Sequence, residues 1–395
     1  MDDRKYDFDK SVDRRNTNSL KYDFAAERGY PEDVLPLWVA DMDFPTADPV
    51  IDSLKKTSEF GIFGYSDVKD SYYEAVIDWF ADNFGWRADR EWIVKTPGVV
   101  YALAMAVQAF TDPGDSILIQ TPVYYPFFSV VKDNGRNLVE NPLRYENGAY
   151  SIDFDDFERK IAESKVRLFC LCSPHNPVGR VWTEAELGEM GRICYEHDVI
   201  VVSDEIHCDF VWPGNSHSVF CDAVPEMRNR SVICTAPSKS FNLAGLQASN
   251  ILIPDDDLRE RFKDAMRRSG FSQLNAMGLI ATEAAYTQGR NWLDQCREYI
   301  YGNLLFTKDF IDHKIPELRM ALPEGTYFAW IDCSGLDLEK KELDDLVVKE
   351  AGLWLDAGHI FGDGGTGFQR IVTACPRCIL DEALNRLKDA VARLR

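Results

Sequence analysis

The chain has no apolar run long enough to cross a bilayer, no internal repeat, no Pro- or Ser-rich linker and no long block of like charge. The first absence argues against a membrane-spanning helix, and the others against a solenoid, a flexible tether or a charged interaction tail. Basic residues are in deficit. Lys and Arg number 44 against 65 Asp and Glu, a formal net charge of −21. Such a surface repels a phosphate backbone or an anionic lipid headgroup at long range, so neither nucleic acid nor membrane is expected as a partner. The first fifteen residues are densely charged where an export signal would be apolar, and a cytoplasmic location is expected. Cys375-Pro376-Arg377-Cys378 has C-x-x-C spacing but lacks a second Cys/His pair at zinc spacing. No metal is therefore expected, and a redox reading of that pair stays open at this point.

What is present is ample apolar material: 45% hydrophobic and 12% aromatic residues in a chain of 395. That length exceeds what one core usually holds, so two domains are expected. Ten cysteines scattered through apolar stretches such as Leu168-Phe169-Cys170-Leu171-Cys172 suit reduced, buried thiols. The stretch to about Ala40 is polar and interrupted, and reads as an extended arm. Beyond it, short apolar runs predict strands at 92–95, 116–120, 166–172, 199–203, 231–234 and 250–253, several followed by helical patterns. Nearly continuous apolar strands imply a mainly parallel α/β sheet covered on both faces. A long helical stretch is predicted from about Leu258 to His313, and a hairpin-like pattern around Gly325. The expected division is an arm over 1–45 packing with the small domain, a large domain over 46–290 and a smaller α+β domain over 291–395.

Ligands of open α/β sheets sit beyond the carboxyl ends of the strands, so polar residues just after the apolar runs are the candidates. Gly98-Val99-Val100 opens a helix whose free backbone N–H groups suit a phosphate. Ser173-Pro174-His175-Asn176-Pro177 forms a rigid polar loop carrying the Asn176 amide. Asp204-Glu205-Ile206-His207 puts an acid at the end of a buried strand, where it is costly unless paired with a positive charge such as a protonated ring nitrogen. Ala236-Pro237-Ser238-Lys239 places one lysine among small neighbours, where desolvation would make it an imine-forming amine and base. Each alone has a plainer reading: a turn glycine, an ordinary loop, a surface acid, a solvated lysine. Together they describe a pocket for pyridoxal phosphate held as a Schiff base.

The order and wording of these segments resemble the fold-type I pyridoxal-phosphate enzymes related to aspartate aminotransferase, and more closely their cystathionine β-lyase (C–S lyase, MalY/PatB-type) branch. The markers are Asp13-Arg14-Arg15, Asn18-Ser19-Leu20-Lys21-Tyr22-Asp23, Trp38-Val39-Ala40-Asp41-Met42-Asp43-Phe44, Phe63-Gly64-Tyr65, the 204–207 stretch, Ser238-Lys239 to Gln247, and Arg370 with Cys375-Pro376-Arg377. The resemblance implies an aspartate-aminotransferase-like fold and a role for each site residue. Lys239 would carry the cofactor aldehyde, Asp204 would pair with the ring nitrogen, Asn176 would reach the phenolic oxygen and Tyr124 would stack on the ring. Gly98, Val99, Val100 and Ser238 would hold the phosphate, with Tyr65 reaching it from the second subunit of a homodimer with shared active sites. His207 is implied in cofactor binding, at the position where transaminases commonly have Tyr. Gln247 stands where an Arg commonly contacts the phosphate, and Ala236 where many relatives have a Ser. Arg370 would grip the substrate α-carboxylate, with Ala40, Asp41 and Asn176 beside it. Cys375 and Cys378 become neighbours of a substrate loop.

The implied reaction is β-elimination of L-cystathionine or related cysteine S-conjugates to a thiol such as homocysteine, pyruvate and ammonia, with a place in methionine biosynthesis. Two other readings are carried. An aminotransferase would use Lys239, Asp204 and Arg370 equally well, and some members of this branch also bind a transcriptional regulator.

Overall fold

Seven short segments, six of them largely apolar, pair into one sheet in the computed structural model, which describes residues 4–394. They are β1 (Ile93–Thr96), β2 (Ser116–Thr121), β3 (Asn137–Pro142), β4 (Val166–Cys172), β5 (Ile200–Asp204), β6 (Ser231–Thr235) and β7 (Ser249–Leu252). Their spatial order is β1-β7-β6-β5-β4-β2-β3. Only β7 opposes its neighbours, so β1, β4, β5 and β6 end at the same edge. Alternate side chains serve opposite faces, which is why the runs of the inner strands are largely apolar. Ile117, Ile119, Leu168 and Cys170 pack with Leu103 and Val107 of the helix Val99–Phe110 and Phe262 of the helix Asp256–Arg268. Leu118, Phe169 and Leu171 face the other way, into the core with Phe157, Ile161, Leu187 and Ile193.

A second sheet of β8 (Arg319–Met320), β9 (Phe328–Asp332), β10 (Asp356–Ala357) and β11 (Phe368–Val372) has the order β8-β9-β11-β10. The helices Arg290–Lys314 and Arg377–Ala392 pack against each other beside it. The N-terminal segment runs along this region. Leu35–Pro36 pairs in parallel with Leu353–Trp354, Phe8 packs on Phe44, Trp292 and Tyr299, and the Leu37 carbonyl accepts from Val372 N–H.

Several sequence expectations change in detail. The helical stretch from Leu258 is three helices, Asp256–Arg268, Ala276–Gln288 and Arg290–Lys314. The first break is capped by Asn275, whose side chain accepts from Gly278 N–H at 2.7 Å. The second is a single joint at Gly289, where a Cβ would sit 2.4 Å from the Phe241 ring. The hairpin-like pattern around Gly325 is present as the antiparallel pair β8 and β9, but their connection is long and Gly325 within it bridges to Val211. The edge strand β3, whose sequence Asn-Leu-Val-Glu-Asn-Pro has no apolar run, escaped detection because only one of its flanks has a partner. All ten cysteines are free, nine of them buried and Cys378 exposed. Among the described residues no helix is long and apolar enough to cross a membrane, and no cluster of metal-ligating side chains occurs.

Candidate active site

The four strand ends converge on one cavity of about 190 Å³, lined by Ala40, Gly98, Val99, Val100, Tyr124, Asn176, Asp204, His207, Ser238 and Lys239. After β1 the chain turns through Gly98 at φ +130°, a conformation that favours glycine. The helix Val99–Phe110 then starts with no side-chain cap. Its first intrahelical bond is donated by Ala102 N–H to Gly98, so the amides of Val99, Val100 and Tyr101 are free to meet an anion.

After β6, Pro237 opens the short helix Pro237–Ser240 that carries Lys239. The Lys239 Nζ donates to the Ala40 carbonyl at 2.7 Å. Desolvation lowers its pKa to about 8, against the opposing pull of the Asp41 carboxylate. Asp204 ends β5 at 5% exposure. Burial pushes its carboxyl up to about 7, offset in part by the Ile206 N–H at 3.2 Å and by Lys239. A cationic ring nitrogen alongside would hold it ionised. Behind it, Glu205 is fully buried and accepts from Ser203 Oγ, His217 Nε2 and Phe220 N–H, which fixes the strand end. Burial near Lys239 and Arg370 keeps His207 neutral, well below the usual imidazole value. Its ring packs edge-on to Tyr327 and Phe328, and its buried Nδ1 has no protein partner.

Arg370, on β11 and 1% exposed, lies next to the cavity and not in its lining. It reaches the cavity through Asn176, whose Oδ1 accepts from Nη1 at 2.8 Å. Phe328 and Phe361 flank the guanidinium at 4.3 and 4.9 Å, and Nη2 donates to Asp356 and to the Trp38 carbonyl. Asp41 lines an adjoining cavity of about 690 Å³ that shares Ala40 and Lys239 with the first. Tyr65 is not brought to the site. It stands 99% exposed on the surface, beside Phe63 at 63%.

Sequence reasoning did not find what holds the 40–44 segment over Lys239. Asn242 accepts from Met42 N–H and donates to the Met42 and Phe44 carbonyls. Lys21 pairs with Asp43 at 2.8 Å, and Arg14 bridges Asp41 and Asp43 at 2.6 and 2.8 Å. An Asn three residues after Lys239 was the available signal, since Asn tolerates the left-handed conformation that residue 242 adopts here at φ +55°. Asp356 left no local signal, because its place opposite Arg370 is set by strand register.

The donor set matches pyridoxal phosphate from end to end: free helix N–H groups for the phosphate, a buried carboxylate for the ring nitrogen and a desolvated amine for the aldehyde. Residues 32–387 match the profile of the aminotransferase class I and II family. The chain is 43% identical to the cystathionine β-lyase PatB of Bacillus subtilis, over 98% of this chain and 100% of that protein. It is 32% identical to protein MalY of Escherichia coli, over 99% and 100%. Cystalysin from Treponema denticola, whose crystal structure contains pyridoxal 5'-phosphate, superposes with a TM-score of 0.96 at 38% identity, over 99% of this chain and 100% of that one. A cofactor pocket built at these strand ends and a likeness that runs the length of the chain lead to one conclusion: the protein belongs to the aminotransferase class I and II family.

Proposed function

We propose that the protein is a pyridoxal-phosphate-dependent carbon–sulfur lyase that eliminates the thiol from L-cystathionine or a related cysteine S-conjugate, giving homocysteine or another thiol, pyruvate and ammonia. The observation that carries this is the enclosed Lys239 amine, with its lowered pKa, in one cavity with Asp204 and Asn176. Full-length likeness to a cystathionine β-lyase supports it. When bound, the cofactor supplies an electron sink for the charge that develops at the substrate Cα.

The chain's own residues do the rest. The free amides of Val99 and Val100, with Gly98 and the Ser238 hydroxyl, hold the phosphate. Tyr124, Asn176 and His207 line the same cavity; Tyr124 would pack on the ring, Asn176 would donate to the phenolic oxygen and His207 would lie beside it. Asp204 stays ionised against the protonated ring nitrogen. Lys239 takes the Cα proton; with a pKa near 8 a useful fraction of the amine is neutral at physiological pH. Arg370 fixes the α-carboxylate and so orients the Cα–H bond toward Lys239. Ala40 and Asp41 border the adjoining cavity, which gives the departing thiol a way out.

Tyr65, exposed and absent from the lining of its own cavity, serves the phosphate of a second copy, so the working form is a homodimer. Residues 46–290 form the cofactor domain and 291–395 the smaller domain, with 1–45 as an arm packing with the smaller one. The protein acts in the cytoplasm, in methionine biosynthesis. The test is to incubate the purified protein with L-cystathionine and no keto acid. Pyruvate and thiol should appear in equal amounts; a strict keto-acid requirement would instead mark an aminotransferase.

A further inference from the structure

Asp356 and Arg370 are direct partners across the antiparallel β10–β11 ladder, which puts both side chains on one face of the sheet. Both are buried, at 5% and 1% exposure. Three of the five N–H donors of Arg370 are committed. Nη1 donates to Asn176 Oδ1 at 2.8 Å, and Nη2 donates to the Trp38 carbonyl at 3.0 Å and to Asp356 Oδ2. The buried Nε donates to nothing.

A guanidinium holds a carboxylate with two parallel N–H groups on one edge of its fork. It has two such edges, Nη1 with Nη2 and Nε with Nη2, and each needs one hydrogen of Nη2. With both of those hydrogens taken, neither edge is open to an incoming carboxylate. Something must yield. The Trp38 acceptor is backbone and the Asn176 acceptor is a neutral amide, whereas Asp356 offers the same chemical group as the ligand. Phe328 and Phe361 both pack against the buried guanidinium and hold it in place, so the exchange of partners does not require Arg370 itself to move.

We infer that Asp356 is an internal competitor for Arg370: its carboxylate occupies the edge that the substrate α-carboxylate takes, and withdraws as substrate arrives. This rests on the reading of Arg370 as the carboxylate site. The apparent affinity for substrate is then reduced by the fraction of molecules whose edge is open. Once substrate is bound, the later steps are untouched. The exchange also selects for a free carboxylate, because a carboxamide offers one acceptor oxygen in place of two. If Asp356 served only to hold Arg370 in place, its removal would weaken binding. The two roles differ in sign.

The experiment measures L-cystathionine kinetics and inhibition by L-alanine, which carries the α-carboxylate and amine but no leaving group, in cofactor-loaded Asp356→Asn and Asp356→Ser. Both the KM and the L-alanine inhibition constant should fall about tenfold, with kcat changing far less. No change or a rise in both constants overturns the competitor role. Arg370→Lys run in parallel separates the layers. If it leaves both constants unchanged, the Arg370 reading fails and this inference with it. If it raises them while the Asp356 variants lower neither, only the role of Asp356 is lost.

Discussion

The cofactor end and the carboxylate end of the site are built in opposite ways. At the cofactor end each group follows its own strand of the large sheet within a few residues: Gly98 after β1, Asn176 after β4, Asp204 closing β5, Lys239 after β6. At the carboxylate end Arg370 depends on Asp356 from the neighbouring strand, Trp38 from the N-terminal segment and Asn176 from the loop after β4 of the other sheet. Local wiring holds the chemistry, and long-range wiring holds the substrate. Damage to the first should therefore fall on turnover and cofactor retention, and damage to the second on KM.

The largest effect is expected at Lys239. Lys239→Ala should abolish the visible absorbance of the loaded enzyme and cut elimination by about 10⁴-fold or more, since it removes both the cofactor's attachment and the base. Full activity in that variant would break the comparison at its root. Asp204→Asn comes next: losing the charge opposite the ring nitrogen should cost about 10²- to 10³-fold in kcat, with KM little changed. Arg370→Lys sharpens the other side. A point charge cannot reproduce the fork, and KM should rise about 10- to 100-fold while kcat falls less. Loss confined to kcat would contradict the division between the two ends.

A pH measurement isolates the cofactor end. A neutral amine is required to capture the aldehyde, and desolvation sets Lys239 near 8. Cofactor capture by the stripped protein should rise about tenfold per pH unit below that value and level off above it. A rise centred near 10.5 would mean that the amine is solvated. The smallest effect concerns stability. His175 is fully buried beside Trp182 and donates from Nε2 to the Pro122 carbonyl at 2.9 Å, and burial lowers its pKa from 6.5 to about 4. Its folded value is depressed, so below pH 6.5 the unfolded chain binds the extra proton and stability falls until about pH 4. The contribution is about 3 kcal/mol at neutral pH, read as a shallower acid limb in denaturant titrations of His175→Gln.

The same contrast explains what the sequence made legible. The residues of the cofactor end were identifiable because an apolar run followed at once by Asn, Asp or Lys is a local pattern, and the sheet brings those ends together by parallel topology alone. Arg370 was found through its resemblance to a known family, not through any pattern around it. Asp356 was invisible because nothing adjacent to it announces that it faces Arg370; only the β10–β11 register does. The Asn242 tether of the 40–44 segment spans about two hundred residues and has no periodic trace. The three helices after Asp256 read as one because their apolar pattern continues across Gly289, a joint imposed by the nearby Phe241 ring.

The central claim is that one amine, at Lys239, bears the cofactor. Reduction of the loaded enzyme with borohydride followed by peptide mapping tests it directly. The account expects the reduced pyridoxyl group on the peptide containing Lys239 and on no other lysine; its recovery on a different lysine, or on none, would contradict it.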